Sequence, residues 1–389
     1  MPYQRLWASV ARVKTPHPKL DLPWRGGNEF GLLIDGKAIF PVMLEAIAQA
    51  RRSVWLETYL AESGQVATQF IQTLQAAARR GVTIRVMLDD FGARGLNRAD
   101  KTALQGPGMR LHLYNPLDYG RLRRNLLRDH RKILVVDDAI AFTGGWGLTD
   151  GFSPDSAAPW RETGIRIRGP NVGDWAELFT ANWGAATGEA LPAVPGPAPL
   201  APGQQGRVAV AMRRPYTEIK RHLLRRIRRC RERLWVSTGY FVPAWKLRRA
   251  LARAARQGRD VRLLLPGPLT DHPGVRFAGR RHYTRLLRAG VRIFEYQPRI
   301  LHQKVVLCDD WSSIGSSNLD RWNFRWNLEA NQEVEDAAFA AGVMAMLEAD
   351  LQQSREIRLY DWLRRPRLER LREYLFGLLD QLSERAIRR

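Results

Sequence analysis

One short pattern occurs twice in this chain of 389 residues. It reads His-x-Lys, with an aspartate five residues after the lysine, first over residues 130–137 and again over residues 302–309. The apolar run between lysine and aspartate predicts a buried strand that ends in a turn. Because residues two apart on a strand point to the same face, we expect each imidazole beside an ammonium, which is a poor core pattern and a good anion site.

The lysines in this pattern stand out against the composition. The chain has 62 basic residues, of which only eight are lysines, and it has seven histidines. Arginine is therefore the default cation, yet both copies keep lysine two residues after histidine. A lysine ammonium is a compact point charge, unlike the planar guanidinium of arginine, so the choice indicates a chemical requirement.

The surrounding sequence also repeats. The stretch Ala77-Ala78-Arg79-Arg80-Gly81 is echoed by Ala254-Ala255-Arg256-Gln257-Gly258, and an apolar strand follows each. The motif histidines are 172 positions apart and the two glycines 177, which indicates an internal duplication into two units. Strands alternate with helices in each unit. We therefore expect an α/β protein with two duplicated sandwich domains, each a mixed central sheet flanked by helices, related by a pseudo-two-fold axis.

The expected organisation follows the composition along the chain. A first strand over residues 27–34 is expected to end in a turn at Asp35-Gly36, before a helix over about 39–52, and a later strand is expected to begin at Trp160. A stretch rich in proline, alanine and glycine predicts a linker. The predicted parts are an N-terminal arm (1–26), a first domain (27–186), the linker (187–206), a second domain (207–366) and a C-terminal amphipathic basic helix (367–389).

The C-terminal segment allows two interpretations. Its leucines recur at helical spacing, at positions 368, 371, 375, 378, 379 and 382, and arginines flank them. Such a helix fits a lipid interface. It equally fits a helix packed on its own domain or a contact between two copies.

Charge and cysteine content narrow the partners and the compartment. The formal net charge of +23 indicates a polyanionic partner, either nucleic acid or an anionic membrane, unless it reflects a general preference for arginine. Two cysteines give no disulfide framework and fit a reducing cytoplasm. We recognise no signal peptide and no run of about 20 apolar residues, so any action on membranes is expected from the surface, at the cytoplasmic face of the cell membrane.

Two facing His-Lys pairs suit displacement at a phosphodiester. One imidazole can attack phosphorus while the other protonates the leaving alkoxide, and Lys132 and Lys304 can hold the non-bridging oxygens. No metal or cofactor is required, because the lysines supply positive charge and His-x-Lys lacks a second ligand. Each histidine also needs an acceptor that fixes its tautomer.

Matching acidic residues are available in the two units. Glu162 and Glu329 occupy matching places and are our acceptors for the histidines, with surface exposure as the alternative. Asp137 and Asp309 end their strands and are expected to fix the turns rather than touch substrate.

The paired motifs resemble those of the phospholipase D superfamily, and the duplication covers nearly the whole chain. Within it, the stretches at residues 56–59, 144–145, 315–320 and 327–331 are similar to short bacterial cardiolipin synthases of the B type. The resemblance implies a two-domain α/β sandwich, metal-independent catalysis through a phosphohistidine, and transfer of a phosphatidyl group onto the hydroxyl of phosphatidylglycerol. It carries over as catalytic residues His130, Lys132, Asp137, His302, Lys304 and Asp309, with Glu162, Glu329, Ser316 and Asn318 in support.

The sequence departs from the family pattern at two places. Gly147 stands where the pattern usually has asparagine, so Asn318 has no counterpart in the first unit. The second hairpin is also one residue shorter, between Asp309 and Gly315, than the first hairpin between Asp137 and Gly144. Neither departure alters the His-Lys pairs, but both lie in loops expected to border the pocket.

Alternative functions share parts of this sequence pattern. A hydrolytic phospholipase D would use the same intermediate with water as acceptor, and a nuclease of the superfamily or a non-enzymatic nucleic-acid binder would also explain the charge. The chain has no recognisable nucleic-acid module, so the expected partner is an anionic phosphatidylglycerol membrane and not nucleic acid. By the resemblance, His130 is expected to be the nucleophile.

Overall fold

The computed structural model describes residues 20–120, 124–192, 195–211, 218–320 and 323–388. Side chains are described at these positions except 323, 325, 367 and 379–388. Most of the predicted arm at 1–26, and the side chains of the leucines at 379 and 382, lie outside the described part. We call residues 20–192 the first half and residues 195–388 the second half.

The strands of the first half are β1 (Arg25–Ile34), β2 (Ser53–Thr58), β3 (Thr83–Asp89), β4 (Met109–Tyr114), β5 (Arg128–Asp129), β6 (Ile133–Val136), β7 (Ile140–Gly144) and β8 (Thr163–Arg168). Its α-helices are α1 (Asp35–Ala48), α2 (Gln65–Arg79), α3 (Arg98–Ala103) and α4 (Asn171–Thr187). Short 3₁₀ turns lie at Arg124–Leu126 and Asp150–Phe152.

The second half repeats this order. Its strands are β9 (Gln204–Ala211), β10 (Arg233–Thr238), β11 (Asp260–Pro266), β12 (Arg292–Tyr296), β13 (Lys304–Cys308), β14 (Trp311–Gly315), β15 (Asn327–Glu335) and β16 (Ser354–Ile357). Its helices are α5 (Glu218–Arg229), α6 (Trp245–Arg256), α7 (Pro273–Arg280), α8 (Tyr283–Leu287), α9 (Asn323–Trp326), α10 (Ala337–Gln352), α11 (Leu359–Arg364) and α12 (Arg367–Arg388).

Three local predictions need correction. The expected turn at Asp35-Gly36 is the start of α1, because the Asp35 carboxylate accepts the Glu162 amide (3.1 Å) and Asp35 N donates to Glu162 O (3.0 Å). These bonds hold Asp35 at φ 63° and begin the helix four residues early. The strand expected from Trp160 begins at Thr163, and β9 begins inside the predicted linker.

The strands form one continuous, mostly antiparallel sheet in which the two halves have the same strand order, counted outward from the centre. From the centre outward, the first half runs β1-β8-β7-β6-β2-β3-β4 and the second runs β9-β15-β14-β13-β10-β11-β12, with β16 added at the edge. Antiparallel pairing of β1 with β9 joins the halves. This arrangement, flanked by helices, confirms the predicted fold class.

Three apolar layers follow from alternation along the strands. Ile133 and Val135 of β6 point to one face and Leu134 and Val136 to the other. The first face shares a core with β13, α4 and α10, so this core belongs to both halves. The outer faces of the two half-sheets are covered separately, by α1 and α2 in the first half and by α5, α6 and α8 in the second.

The motif strands β6 and β13 lie inside their half-sheets, paired on both sides. Their residues are buried throughout. Interior strands are rigid supports, so the residues that precede them are held firmly where the two halves meet. No helix among the described residues has the length and apolar character needed to cross a bilayer.

Candidate active site

Each motif histidine is hydrogen-bonded to a glutamate of the other half. His302 Nδ1 lies 2.6 Å from Glu162 Oε2, and His130 Nδ1 lies 3.1 Å from Glu329 Oε1. Both glutamates are fully buried, so the alternative of surface exposure is wrong. With Nδ1 bound to a carboxylate, Nε2 is the ring nitrogen left to react with a substrate.

The backbone explains this exchange of glutamates, in which each histidine is bonded to the glutamate of the other half. His130 N donates to Leu328 O (3.0 Å), beside Glu329, and β5 pairs in parallel with the start of β15. His302 N donates to Arg161 O (2.9 Å), beside Glu162. Each histidine segment is thus bonded along the glutamate segment of the opposite half, which places both glutamates against the imidazoles.

The two lysines lie with the histidines. Lys304 Nζ is 2.8 Å from His302 Nδ1 and 3.0 Å from Nε2, and 3.9 Å from Glu162 Oε2. Lys132 Nζ bonds the backbone oxygen of His130 and lies 5.5 Å from the centre of the Tyr59 ring. Both ammonium groups are buried. The structure therefore brings the two histidines, the two lysines and the two glutamates together as two matching clusters, one around each histidine.

The electrostatics connect these clusters across the halves. Burial lowers the pKa of His302 to about 4, and the Lys304 charge acts in the same direction. Burial also lowers the pKa of His130, with contributions from the charges of Lys132 and Lys304. Burial, aided by Lys304, lowers the pKa of Lys132 to about 7. The Lys304 charge of the second half therefore acts on the pKa values of His130 and Lys132 in the first half, so these groups lie close enough to interact.

Glu162 is held ionised despite its burial. Burial alone would raise its pKa, but the Lys304 charge and the hydrogen bond to His302 together bring it below the ordinary value. The Thr163 amide donates to its Oε1 at 2.8 Å. An ionised carboxylate is suited to stabilise an imidazolium during proton transfer.

Ser316 distinguishes the two His-Glu pairs. Its hydroxyl donates to Glu329 Oε2 and accepts the Ala330 amide (3.1 Å). At the matching position the first half has Gly145, where a Cβ atom would lie only 2.7 Å from Glu162 Cδ. The Glu329 carboxylate therefore accepts a hydroxyl hydrogen bond, whereas the Glu162 carboxylate packs against a glycine that has no side chain.

Asp137 and Asp309 lie at the far ends of the motif strands from the lysines. Asp137 accepts the backbone amides of Arg51, Arg52 and Ser53 at 2.7–2.9 Å. Asp309 accepts those of residues 231–233 at 2.8–3.0 Å. Both carboxylates thus hold the turn that leads into a neighbouring strand.

Asn318 positions a loop beside the pocket. Its Oδ1 accepts the Thr238 hydroxyl (3.1 Å) and the Tyr240 amide (3.2 Å). Gly147 takes its place in the first half, where a Cβ atom would lie 2.9 Å from the Leu60 oxygen. The missing asparagine therefore has a steric cause, because the backbone of Leu60 approaches too closely for a side chain.

Arg161 supports the His302 cluster and was not singled out from the sequence. It is buried and forms two hydrogen bonds to Asp350 (2.8 and 2.9 Å) and one to Asp35 (3.2 Å). Gln303 also donates to Asp350 (2.8 Å). The available sequence signal was the position of Arg161 directly before the acceptor glutamate. Its partners Asp35 and Asp350 are far away in sequence, so the cluster itself was not predictable.

Aromatic rings surround the imidazoles and were also missed. Tyr59 lies 4.9 Å from His130 between ring centres, while Trp160, Phe152 and Tyr240 lie 5.2, 5.5 and 6.2 Å from His302. Two positions carried a sequence signal: Trp160 precedes Arg161-Glu162, and Tyr59 ends a stretch that is similar to the family. These rings lie against the two imidazoles, whose burial lowers their pKa values.

Among the described residues, one group could offer three metal ligands: Cys230, Cys308 and Asp309, whose ligand atoms lie within 4.8 Å of one another. The Asp309 carboxylate is already occupied by three backbone amides. The group lies at the end of β13 opposite Lys304, so it is separate from the histidine clusters.

Comparison with known proteins identifies the family. The family model described as "Cardiolipin synthase, PLD-like domain" matches residues 43–183 and 223–351, together well over half of the chain. Cardiolipin synthase A of Pseudomonas putida (strain W619) is 34% identical over 364 residues, covering 91% of this chain and 75% of the relative. Cardiolipin synthase B of Salmonella typhi is 33% identical over 336 residues, covering 81% and 78%.

Solved structures agree on the fold. Phosphatidylserine synthase of Haemophilus influenzae Rd KW20 superposes with a TM-score of 0.72 over 95% of this chain and 96% of its own, at 13% identity. Relatives of both the A and B types match at similar identity, so the matches support the family rather than one type. The chain belongs to the cardiolipin synthase family of the phospholipase D superfamily, a family of phosphatidyltransferase enzymes.

Proposed function

We propose that this chain makes cardiolipin by moving a phosphatidyl group from one phosphatidylglycerol to another through a phosphohistidine. The observation that carries the proposal is the pairing of each motif histidine with a glutamate of the other half, which orients both imidazoles at the junction of the halves. The relatives named as cardiolipin synthases support the choice of substrate.

The first half-reaction needs one neutral and one protonated imidazole. His130 Nε2 attacks the phosphorus of phosphatidylglycerol, a P–N bond forms, and the bond from phosphorus to the glycerol oxygen breaks. His302 gives its proton to that oxygen, and glycerol leaves. The lowered histidine pKa values favour a neutral nucleophile, and the bound phosphodiester anion favours protonation of the partner.

The second half-reaction restores the enzyme. His302, now neutral, takes a proton from the hydroxyl of a second phosphatidylglycerol, whose oxygen attacks phosphorus and releases His130. Lys132 and Lys304 bind the non-bridging oxygens in both steps, and Glu162 and Glu329 stabilise whichever imidazole carries charge. The products are one cardiolipin and one glycerol for each pair of substrates. No residue in this sequence of steps requires a metal.

We place the enzyme at the surface of an anionic phospholipid membrane, on its cytoplasmic face. The formal net charge of +23 supports this placement, since basic residues near an anionic surface contribute about 1 kcal/mol each. The two cysteines are buried and free, which fits a reducing compartment.

The decisive experiment is a product assay. Purified protein is incubated with phosphatidylglycerol vesicles, and lipids and released glycerol are measured. We expect cardiolipin and glycerol in equal amounts. Phosphatidate in place of cardiolipin would show that water is the acceptor, and a folded protein that forms neither product would refute the proposal.

A further inference from the structure

The C-terminal helix α12 is attached to its domain through a buried glutamate, a phenylalanine and a glycine. Glu373 is buried and accepts bonds from Arg280 (3.2 Å) and Arg365 (2.6 Å). Phe376 stacks on Phe277 of α7, with 5.5 Å between ring centres, and Gly377 lies against the Arg281 side chain. The inner face of this helix is therefore the more polar one.

Its leucines point the other way. Leu368, Leu371 and Leu375 are 74%, 52% and 48% exposed, and Tyr374 and Leu378 are exposed beside them. Positions 368, 371, 375 and 378 form one stripe on a helix, opposite positions 369, 373 and 377. A contiguous exposed apolar stripe on a folded domain marks an interaction surface. Packing on its own domain, one alternative from the sequence, therefore leaves the leucines uncovered.

The surroundings of the stripe are basic. Arg370 and Arg372 are exposed and lie on its two sides along the helix. The preceding helix α11 adds two exposed apolar residues, Tyr360 and Leu363, and the exposed Arg364 stacked on Tyr360. Apolar residues bordered by arginines match the boundary between lipid tails and anionic headgroups.

This surface continues toward the catalytic pocket. Helix α7, on which α12 packs, begins at Pro273, directly after Asp271 and His272. The Tyr240 hydroxyl bonds Asp271, and the Tyr240 ring lies 5.3 Å from His272 and 6.2 Å from His302. The exposed Leu269 precedes the same loop. A membrane bound to α12 would thus lie on the same side as helix α7, whose preceding loop contacts Tyr240 beside His302.

We propose that the outer face of α11 and α12, defined by Tyr360, Leu363, Leu368, Leu371, Leu375 and Leu378, lies in the interface of an anionic phospholipid leaflet. The leucines enter the boundary between headgroups and tails, and the flanking arginines bind lipid phosphates. That the enzyme works at a membrane at all rests on the proposed function; which surface docks rests on the geometry of α12.

Vesicle sedimentation tests the docking surface. The full chain and its Leu371→Glu/Leu375→Glu variant are mixed with vesicles of phosphatidylcholine alone or with an equal part of phosphatidylglycerol. We expect the variant to bind phosphatidylglycerol vesicles at least tenfold more weakly, because two apolar side chains that would enter the lipid boundary are replaced by carboxylates. Leu200→Glu, an exposed leucine outside this face, is the control and should bind like the wild type.

Activity separates docking from chemistry. With short-chain phosphatidylglycerol dissolved as monomers, we expect the double variant to keep wild-type turnover, while turnover on vesicles falls with binding. If no variant or wild type makes cardiolipin but vesicle binding still falls, the docking surface stands and the proposed reaction fails. Unchanged vesicle binding of the double variant would overturn the docking surface. If the double variant keeps its vesicle binding but changes from dimer to monomer in gel filtration, a second copy of the chain covers this face instead.

Discussion

Ser316 and Gly145 occupy matching positions in the two halves, but only the serine has a hydroxyl to donate. Glu329 therefore receives a hydrogen bond that Glu162 lacks, and His302 lies closer to its carboxylate than His130 does, 2.6 against 3.1 Å. A duplicated site need not be symmetric in its chemistry. The two imidazoles thus face carboxylates with different hydrogen-bond partners, although burial is the main cause of the lowered pKa of both.

Gly145 gives a direct test of the Glu162–His302 pair. In Gly145→Ala the new methyl would lie 2.4 Å from Glu162 Oε2 and 2.7 Å from its Cδ, so the buried carboxylate has to shift away from its present position. We expect kcat to fall about 100-fold, the usual effect of a displacement near 1 Å in an active site. Gly342→Ala is the matched control, since nothing lies within 4 Å of its Cβ position, and it should keep full activity. Equal activity of both variants would argue against the role of Glu162.

The lowered pKa of His302 predicts how stability depends on pH. Its pKa is about 4 in the folded protein and near the ordinary 6.5 when unfolded, so between these values the unfolded chain binds more protons. Stability is therefore lost as the pH falls from 6.5 to 4, by about 3 kcal/mol from this residue. Urea unfolding across this window measures it. His302→Gln should flatten the slope, and an unchanged slope in the variant would contradict the assignment.

Most strands and helices were predictable from the sequence, but the long-range hydrogen bonds that fix where they begin were not. The motif strand β6 and the helix α2 lie where the apolar pattern placed them. Helix α1 begins earlier than expected because Asp35 is fixed by Glu162 and Arg161, more than 120 residues away. Local pattern reports local structure, whereas a helix start determined by a distant arginine leaves no local signal.

Arg161 connects these elements, and its removal should weaken them. Arg161→Met would leave the carboxylates of Asp35 and Asp350 buried with fewer partners, at a cost of about 3–5 kcal/mol. Arg292→Met is the control, because its pair with Glu356 is largely exposed and should change stability by less than about 1 kcal/mol. Thermal and urea unfolding compare the two. Similar small losses in both would show that the Arg161 cluster is not a structural connection between the halves.

At the scale of the whole molecule, the repeat in the sequence predicted two units and one shared site. It did not predict the exchange of glutamates, which pairs residues 140 and 199 positions apart. That exchange depends on how the half-sheets dock through β1, β9 and the common core around α4 and α10. Spacing along a chain carries no information about how the two halves pack together. The histidines and glutamates of the site were therefore predictable, but which glutamate bonds which histidine was not.

In the proposed reaction, histidines from both halves form one site and one of them carries a covalent intermediate. Rapid acid-free quenching of the enzyme with phosphatidylglycerol, followed by mass spectrometry of its peptides, detects such an intermediate. We predict a phosphatidyl adduct on His130 in the wild type and no adduct in His130→Ala. Cardiolipin formed at the normal rate by a folded variant that lacks either histidine, without any adduct, would contradict the account.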